Sequence, residues 1–455
     1  MLYDYQQQIM SSVRKSMMAG HKSTLLQLPT GAGKTVVASE MISTAKAKGL
    51  TCWFNVHRRE LVKQSSTTLL KNKLDHGITA AGFPPCPGAK VQINSIMSLA
   101  RRLKKMPKPD LIIWDECHHI ASGSWLKIFK AYPNAFHVGL TATPQRLDGV
   151  GLGEWFSDMV EGPTVSWLIE NKYLSDYKLF APTRIDVSKL KTKMGDYTAK
   201  SVEESLETNK IVGSVVKEYN KACPGKRMIA FCASVKSSQE VAEAFNMAGV
   251  KAKHLDGKTP HAERDLAIRE FRDGRIKVLT NVDLFGEGFD VPSIEAVALL
   301  RPTMSLSLYL QQVGRALRAV EGKTHAIILD HVGNYERHGL PDHERTWSLD
   351  SKKRKAKDIE DKILIKTCDK CFHVQAPGKP ACENCGEFFT IKEREIEQVE
   401  GSLKEITKEE KLKIKVERKK EQSSARTLED LRQLGRERGY SPRWADHVFA
   451  SRGNR

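Results

Sequence analysis

The chain has 455 residues, of which 40% are hydrophobic and 28% are charged, a composition that is typical of globular proteins and excludes disorder throughout. No apolar run approaches the roughly 18 residues that a membrane-spanning helix needs. Lysine and arginine exceed the acidic residues by 73 − 55 = +18, which favours a polyanionic partner, first of all nucleic acid, and gives no reason to expect a membrane partner.

Cysteine usage indicates the compartment. The chain has nine cysteines, an odd number, and five of them are isolated from any other cysteine in sequence, so a disulfide framework does not fit. The N-terminal residues show no basic segment followed by an apolar one, as a cleaved leader would. We therefore expect a reducing, cytoplasmic location.

Two regions of the chain alternate helical segments with short apolar segments, a pattern typical of α/β domains with buried parallel strands. The first region covers residues 1–160, with strand candidates at 24–28, 51–56, 91–94, 111–114 and 137–140. An irregular connecting region is predicted at 161–208. The second region covers residues 209–350, with strand candidates at 228–232, 252–255, 277–280, 296–300 and 326–329. The pattern predicts two tandem domains with doubly wound parallel sheets.

The composition changes after residue 350. Residues 351–390 contain a basic linker and two Cys-x-x-Cys pairs, and residues 391–455 begin with a charge-dense stretch that is typical of a solvated helix. Two short helices are predicted at 427–439 and 441–452, with Thr427 suited to cap the first. We interpret them as a small self-packed helical pair; stacking of Trp444 on a base is the alternative.

The most specific local pattern is the run from Thr30 to Thr35, Thr-Gly-Ala-Gly-Lys-Thr, between an apolar strand and a helix. Glycines allow backbone amides to surround phosphate oxygens, and a helix N-terminus adds positive potential. Lys34 then reaches the β and γ phosphates, and the Thr35 hydroxyl is a ligand for Mg²⁺. The pattern predicts a P-loop that binds a nucleoside triphosphate.

Two acids, Asp115 and Glu116, directly follow the apolar segment 111–114. An acid at the carboxyl end of a buried strand beside a P-loop can hold Mg²⁺, and a second acid can position or deprotonate the attacking water. We assign the first role to Asp115 and the second to Glu116. A metal site formed by residues 117–119 is the alternative, but three adjacent residues cannot easily converge on one ion.

Two arginines, Arg315 and Arg318, lie three residues apart in a segment predicted to be helical, and so are expected on one helical face. The P-loop has no such arginine within its own domain. We interpret the pair as arginine fingers that reach the phosphates from the second domain. An exposed basic helix is the alternative.

In chain order, these motifs resemble those of the superfamily 2 helicases of the DEAD/DEAH-box kind. The motifs comprise residues 5–6, 31–35, 57–61, 115–118, 141–144, 286–292 and 311–318. Their sequences are most similar to those of the DNA-acting branch that includes RadD, type III restriction translocase subunits and phage-encoded helicases. The resemblance covers residues 1–335 and implies two RecA-like domains with ATP in the cleft between them.

The resemblance also implies roles for individual residues. The expected ATP contacts are Tyr5, Gln6, Thr30, Gly31, Ala32, Gly33, Lys34, Thr35, Gly288, Asp290 and Gln311, with Gln6 selecting adenine and Asp290 contacting the ribose. Thr141 and Thr143 are expected to couple the nucleotide state to domain movement. The expected contacts with a nucleic-acid strand are Arg58, Arg59, Asn94, Ser95 and Thr280.

The third chemical pattern is Cys368-x₂-Cys371-x₁₀-Cys382-x₂-Cys385. Two Cys-x-x-Cys pairs with a short spacer are typical of a zinc ribbon, in which four thiolates fill the tetrahedral sites of Zn²⁺. Disulfides and a redox-active pair are the alternatives. We expect a structural zinc in an accessory module that is separable from the ATPase core, with His373 on its surface.

Together the motifs predict an ATP-dependent DNA helicase or translocase that acts on single-stranded or branched DNA in repair, recombination or replication, using ATP, Mg²⁺ and Zn²⁺. An RNA helicase is one alternative, because the same motifs serve both nucleic acids. A nucleic-acid clamp without productive hydrolysis is another, but it would not need Glu116, Arg315 and Arg318. Residues 293–310 leave no room for a strand-separating hairpin, so weak unwinding of long duplexes is expected.

Overall fold

The computed structural model describes residues 2–84, 86–146, 149–181, 190–193, 196–198, 201–202, 211–285, 294–350, 365–389, 421–422, 424–425, 427–437 and 443–450. They fall into two compact units, residues 1–389 and 390–455. Within these described stretches, no helix has the length and apolar character needed to cross a bilayer.

A parallel sheet forms the centre of the first domain. Its strands among the described residues are β1 (Ser23–Gln27), β2 (Cys52–Val56), β3 (Gly77–Thr79), β4 (Val91–Ser95), β5 (Leu111–Asp115), β6 (Phe136–Thr141) and β7 (Asp158–Glu161). Their order is β3-β4-β2-β5-β6-β1-β7. The predicted strands occur within one or two residues of their expected bounds, whereas the edge strands β3 and β7 were not predicted.

Helices cover both faces of this sheet. They are α1 (Asp4–Met18), α2 (Lys34–Ala47), α3 (Arg59–Lys71), α4 (Ile96–Arg102) and α5 (Gly123–Ala131). Because successive strand residues point to opposite faces, Phe54 and Ile113 belong to one apolar cluster with residues of α1, α2 and α3. Trp53 and Trp114 belong to another with residues of α4 and α5. The first domain is therefore doubly wound, as predicted.

The second domain has a sheet of similar build. The short helix α6 (Val165–Glu170) precedes it. The strands of the sheet are β8 (Asp176–Phe180), β11 (Met228–Cys232), β12 (Ala252–Leu255), β13 (Val278–Asn281), β14 (Ala296–Leu300), β15 (His325–Asp330), β16 (Lys366–Thr367) and β17 (His373–Gln375). Two further strands, β9 (Thr192–Lys193) and β10 (Asp196–Tyr197), pair only with each other. The order is β12-β13-β11-β14-β15-β8-β17-β16 among the described residues. Strands β12 to β8 are parallel, and β17 and β16 are antiparallel.

The helices of this domain are α7 (Ile211–Ala222), α8 (Val235–Met247), α9 (His261–Arg272), α10 (Leu306–Gly314) and α11 (Asn334–His338). The segment of Arg315 and Arg318 was predicted to be helical, but α10 ends at Gly314. The backbone N–H of Ser175 donates to the Leu317 carbonyl at 2.7 Å, and Leu174 and Arg318 form an antiparallel bridge. These backbone groups pair with the connecting segment instead of extending the helix, so the prediction that Arg315 and Arg318 share a helical face is wrong.

The cysteine-containing segment is joined to the second domain. Strand β17 pairs with β8, the Ala181 N–H donates to the Phe372 carbonyl at 2.9 Å, and the Lys178 Nζ donates to Asn384 Oδ1 at 3.0 Å. Val374 is buried in the core cluster of the domain. The structure therefore differs from the expectation of a separable module, because the edge of a sheet can accept strands from a segment distant in sequence.

Residues 341–350, which we name the crossing segment, return from the second domain to the first. The Arg345 guanidinium donates to the carbonyls of His338, Leu340, Pro341 and His343, which fixes the start of the segment on the second domain. At the other end, the Gly153 N–H of the first domain donates to the Leu349 carbonyl at 2.7 Å. The two domains are thus linked on this side by a second, well-bonded connection.

The second unit contains the predicted helical pair, α12 (Leu428–Glu437) and α13 (Arg443–Ala450). As predicted, Thr427 caps the first helix, since its Oγ1 accepts the Asp430 N–H at 3.1 Å. Leu431 and Ala445 are buried, and Arg432 donates to Asp446 Oδ1 at 3.0 Å. The stretch 391–420 and the side chain of Trp444 lie outside the described residues.

Candidate active site

The phosphate-binding loop follows the carboxyl end of β1. Gly31 and Gly33 adopt left-handed backbone conformations with φ of 91° and 82°, which favour glycine. A Cβ on Gly33 would lie 2.5 Å from Gln6 Nε2, so the position also lacks room for a side chain. Lys34 is the first residue of α2. The loop therefore presents backbone amides and a helix N-terminus to an anion, as the sequence predicted.

The two acids lie at the end of β5, directly beside this loop. Glu116 adopts a left-handed conformation with φ of 50°, and its Oε1 is 3.6 Å from Lys34 Nζ. Burial, followed by the charge of Glu116, raises the pKa of Asp115 to about 7, while Lys34 opposes the shift. A buried carboxylate and the Thr35 hydroxyl are oxygen donors that suit Mg²⁺.

A buried chain of polar contacts leads from Glu116 to Thr141 and Thr143. His118 Nδ1 lies 3.5 Å from Glu116 Oε2 and 3.2 Å from Thr141 Oγ1. Thr141 donates to the Thr143 carbonyl at 2.9 Å and accepts the Thr143 N–H at 3.2 Å. The Thr141 hydroxyl hydrogen is donated to the Thr143 carbonyl. The hydrogen bond between Thr141 and His118 therefore uses a hydrogen on His118 Nδ1. The sequence placed His118 in the motif 115–118 and weighed it as a metal ligand, but predicted no contact of His118 with Glu116 or Thr141.

The second domain reaches this site through α10. Gln311 Nε2 donates to Glu116 Oε2 at 3.3 Å, across the cleft between the domains. Arg315 is buried immediately after the end of α10. The Arg318 Cγ would lie 3.5 Å from a Cβ placed on Gly31, so Arg318 is near the phosphate-binding loop.

Gly314, at the end of α10, touches the P-loop. A Cβ on Gly314 would lie 2.5 Å from Thr30 Cβ, far inside van der Waals contact. Sequence reasoning assigned no role to this glycine. The contact shows that the two domains approach as closely as they do only because this position has no side chain.

We expect Gly314→Ala to lower ATP turnover by about 10²-fold, the effect of misplacing a catalytic group by about 1 Å, because the added methyl group separates α10 from the P-loop. Overpacking costs about 1–3 kcal/mol, which exceeds the gain of about 1 kcal/mol in helix propensity, so turnover is measured well below the melting temperature of the variant. Steady-state phosphate release is the measurement. Gly257→Ala is the matched control, since a Cβ there meets nothing within 4 Å; equal turnover in the two variants would contradict the prediction.

Tyr5 and Gln6 contact the outside of the P-loop. The Tyr5 hydroxyl donates to the Ala32 carbonyl at 2.9 Å, and Gln6 Nε2 lies 3.4 Å from the same oxygen. Gln6 Oε1 accepts the N–H of Tyr3 at 3.1 Å. Burial raises the pKa of Tyr5 to about 12, so its hydroxyl stays a donor. Adenine selection by these residues stays a prediction, and Gly288 and Asp290 lie outside the described residues.

The residues predicted to contact nucleic acid are placed differently from one another. Arg58 donates to the carbonyls of Asp283 and Leu284 in the second domain, at 2.8 and 3.3 Å, and the Arg59 guanidinium lies 5.7 Å from the Phe83 ring centre. Ser95 is half-buried at the start of α4.

Asn94 and Thr280 are buried inside their sheets. Asn94 Nδ2 donates to Asn55 Oδ1 at 3.0 Å, and the Thr280 hydroxyl donates to the Ser238 carbonyl at 2.7 Å. The structure thus places these two side chains out of reach of a strand on the surface, and the nucleic-acid contacts stay predictions.

The four cysteines after β16 converge. Their Sγ atoms all lie within 4.8 Å of one another, with Cys368 and Cys385 at 3.7 Å and Cys371 and Cys382 at 3.6 Å. Sulfur ligands at about 2.3 Å from Zn²⁺ form a tetrahedron with edges of about 3.8 Å, whereas bonded disulfide sulfurs are about 2.0 Å apart. The cysteines therefore fit a tetrahedral metal ion.

The backbone around the cysteines supports this fit. The residues after each pair, Phe372 and Gly386, have φ of 60° and 72°, and their N–H groups donate to the carbonyls of Cys368 and Cys382 at 2.8 and 2.9 Å. The two halves are thus related turns that direct four sulfurs to one point. His373 is buried in β17 with an edge contact to Phe180, so the expectation of a surface histidine is wrong.

Comparisons with known proteins agree with this arrangement. Two family models match: "Type III restriction enzyme, res subunit" over residues 1–146 and "Helicase conserved C-terminal domain" over residues 208–320. The chain is 41% identical over 397 residues to a "51.5 kDa protein" of Lactococcus phage (isolate 7-9), covering 86% of this chain and 84% of that protein.

Two further relatives carry descriptive names. IRC3 of Saccharomyces cerevisiae, named as a candidate ATP-dependent helicase, is 30% identical over 355 residues, which is 73% of this chain and 51% of IRC3. The "DNA 3'-5' translocase XPB2" of Sulfurisphaera tokodaii is 27% identical over 363 residues, or 70% of this chain and 78% of that protein.

A solved fragment of a candidate HsdR subunit of a type I restriction enzyme from Vibrio vulnificus YJ016 has a similar fold. The TM-score is 0.60 at 22% identity, over 74% of this chain and 65% of that one. The chain thus spans less than two thirds of this fragment and about half of IRC3.

The chain belongs to the superfamily 2 helicases, in the branch that includes restriction-enzyme helicase subunits and viral helicases. It is accordingly an ATP-hydrolysing motor of the helicase or translocase type that acts on nucleic acid.

Proposed function

We propose that this motor acts on DNA: it couples ATP hydrolysis to movement along single-stranded or branched DNA, and remodels intermediates of repair, recombination or replication. The observation that carries the coupling is the hydrogen bond from Gln311 of the second domain to Glu116 of the first. Within the first domain Glu116 contacts Lys34 and His118, and the contact with Gln311 is added only when the two domains are together. Hydrolysis and domain closure are thereby made dependent on each other.

The residues around the cleft suit the steps of hydrolysis. Lys34 and the loop amides bind the phosphates, and Thr35 with Asp115 holds Mg²⁺, which supplies charge neutralisation at the transferring phosphoryl group. Glu116 orients the attacking water and accepts its proton, while Arg315 and Arg318 approach the phosphates from the second domain. The buried contacts of His118 and Thr141 connect Glu116 to Thr143, so a movement of the Glu116 side chain can reach the residues expected to couple ATP hydrolysis to domain movement.

The choice of DNA is supported by the matched restriction-enzyme subunit family and by the relative named as a DNA translocase. The excess of 18 positive charges favours a polyanion but does not discriminate DNA from RNA. As a zinc site, the four-cysteine cluster would stabilise the outer edge of the second sheet. It would do so as part of the second domain and not as an independent module.

Phosphate release measured without nucleic acid, with single-stranded or forked DNA, and with RNA of the same sequences tests the proposal. We expect turnover to rise with DNA and to rise less with RNA, and streptavidin to be displaced from the biotinylated end of a DNA single strand when ATP is hydrolysed. Lys34→Ala provides the background rate. Equal or greater stimulation by RNA, or stimulated hydrolysis without streptavidin displacement from either end, would show that the assignment to DNA movement is wrong.

A further inference from the structure

The first domain carries a concentration of positive charge away from the ATP site. It lies on α4, on the turn that follows α4, and on α5, and we name it the α4–α5 surface. Its exposed basic side chains are Arg101, Arg102, Lys104, Lys105, Lys108, Lys127 and Lys130. One exposed acid, Asp110, lies among residues 97–135, and its Oδ2 accepts the Thr51 N–H at 2.8 Å.

Packing holds these cations on one side of the molecule. Residues of α4 and α5 share an apolar cluster, including Leu99 and Ile128. The Tyr132 hydroxyl at the end of α5 donates to the carbonyl of Leu103, in the turn after α4, at 3.3 Å. The surface therefore lies on the face of the first sheet opposite α1, α2 and α3.

The charge of this surface is not balanced within the described part of the chain. There, none of its seven basic side chains lies within 4.0 Å of a carboxylate oxygen. In the second domain, by contrast, some exposed cations face acids: Arg275 is 3.0 Å from Asp273, and Lys236 is 3.9 Å from Glu240. Unbalanced like charges repel one another, and a polyanion removes that repulsion while releasing its own counterions.

We propose that the α4–α5 surface binds the phosphate backbone of a DNA duplex, an inference that rests on the proposed action on DNA. Among the described residues of this surface, no aromatic ring is exposed, since Phe129 and Tyr132 are half-buried. A surface without exposed rings does not stack bases, as single-strand sites do, but it suits backbone charge. Residues 103–108 precede the amino end of β5, whereas Glu116 follows its carboxyl end. This part of the surface and the ATP site therefore lie at opposite ends of the strand.

The test compares two variants of the full chain that remove equal charge. The surface variant is Arg101→Gln, Arg102→Gln, Lys104→Gln and Lys105→Gln. The control is Arg14→Gln, Lys15→Gln, Lys46→Gln and Lys48→Gln, on α1 and at the end of α2, which cover the opposite face of the sheet. Fluorescence anisotropy gives the affinity for a blunt DNA duplex and for single-stranded DNA of the same length at several salt concentrations.

For the surface variant we expect duplex affinity to fall about tenfold or more, and the slope of log affinity against log salt to decrease by about two to four, near 0.9 per lost phosphate contact. Single-strand affinity should change less than twofold, and the melting temperature should not fall, because repulsion is relieved. The control should keep the parental duplex affinity.

Unchanged duplex affinity, an equal loss in the control, or an equal loss for single strands would overturn the proposal. Loss of binding to vesicles rich in anionic lipid, with duplex binding retained, would assign the surface to a membrane instead. Failure of the parent protein to bind any DNA would overturn the proposed function, and is distinguishable because the parent is measured beside both variants.

Discussion

Replacing Glu116 by glutamine is expected to lower ATP turnover by about 10³-fold, within the range of about 10²–10⁴ for loss of a positioned acid or base, while nucleotide still binds. Glutamine has the same shape and keeps an oxygen that can accept the Gln311 hydrogen bond, so the contact between the domains survives. It cannot accept a proton from water. Pre-steady-state phosphate release and binding of a fluorescent ATP analogue separate the two effects.

Glu60→Gln is the matched control. Its carboxylate also reaches the second domain, accepting from Arg264 at 2.6 Å, but its side chain is 42% exposed. The Arg264 side chain is only 6% exposed, but glutamine keeps an oxygen that can accept its hydrogen bond, and Arg264 also donates to the carbonyls of Asp256 and Thr259. Turnover should therefore stay within a few-fold of the parent. Parental turnover in Glu116→Gln, or an equal loss in Glu60→Gln, would show that Glu116 is not the residue that activates water.

Loss of the four-cysteine metal site is expected to destabilise the second domain as well as the site itself. Cys371→Ser should abolish the binding of one Zn²⁺ per chain and lower the melting temperature by about 10 °C, since metal binding and folding are coupled in such sites. The reason is the pairing of β17 with β8 and the burial of Val374 in the domain core. Metal analysis, thermal unfolding and hydrogen exchange of β8 measure the three consequences.

Cys86→Ser is the matched control, because Cys86 is an exposed free cysteine outside the cluster. It should retain both the zinc and the melting temperature. The prediction would be contradicted by parental protein that contains no zinc when purified without chelator. It would equally be contradicted by unchanged exchange in β8 after the metal is lost.

The locally encoded features were predictable from sequence. The bounds of β11, Met228–Cys232, and β14, Ala296–Leu300, match the apolar runs because a strand buried on both faces needs apolar residues at every position. The P-loop, the acids after β5 and the cysteine pairs were found because each lies within a short stretch whose spacing is imposed by a phosphate or a metal. The identity of the ATP-binding residues stays a prediction.

The tertiary structure decided which segments are neighbours. Strand β8 has only Leu179 and Phe180 buried, so its sequence does not indicate a strand; it forms because β15 and β17 supply backbone partners on both sides. In the same way, α10 ends at Gly314 because residues 174–175 bond to the chain beyond it.

Packing likewise decided which polar side chains are buried and where the basic ones collect. Asn94 and Thr280 were expected to contact nucleic acid, yet their side chains are inside the sheets. The α4–α5 surface unites basic residues from two helices that are separated in sequence by β5 and the acids that follow it. The candidate chemistry could be predicted from the sequence because it depends on short motifs whose spacing a phosphate or a metal imposes. The surfaces and the contacts between the domains could not, because they depend on backbone pairing and packing between distant segments.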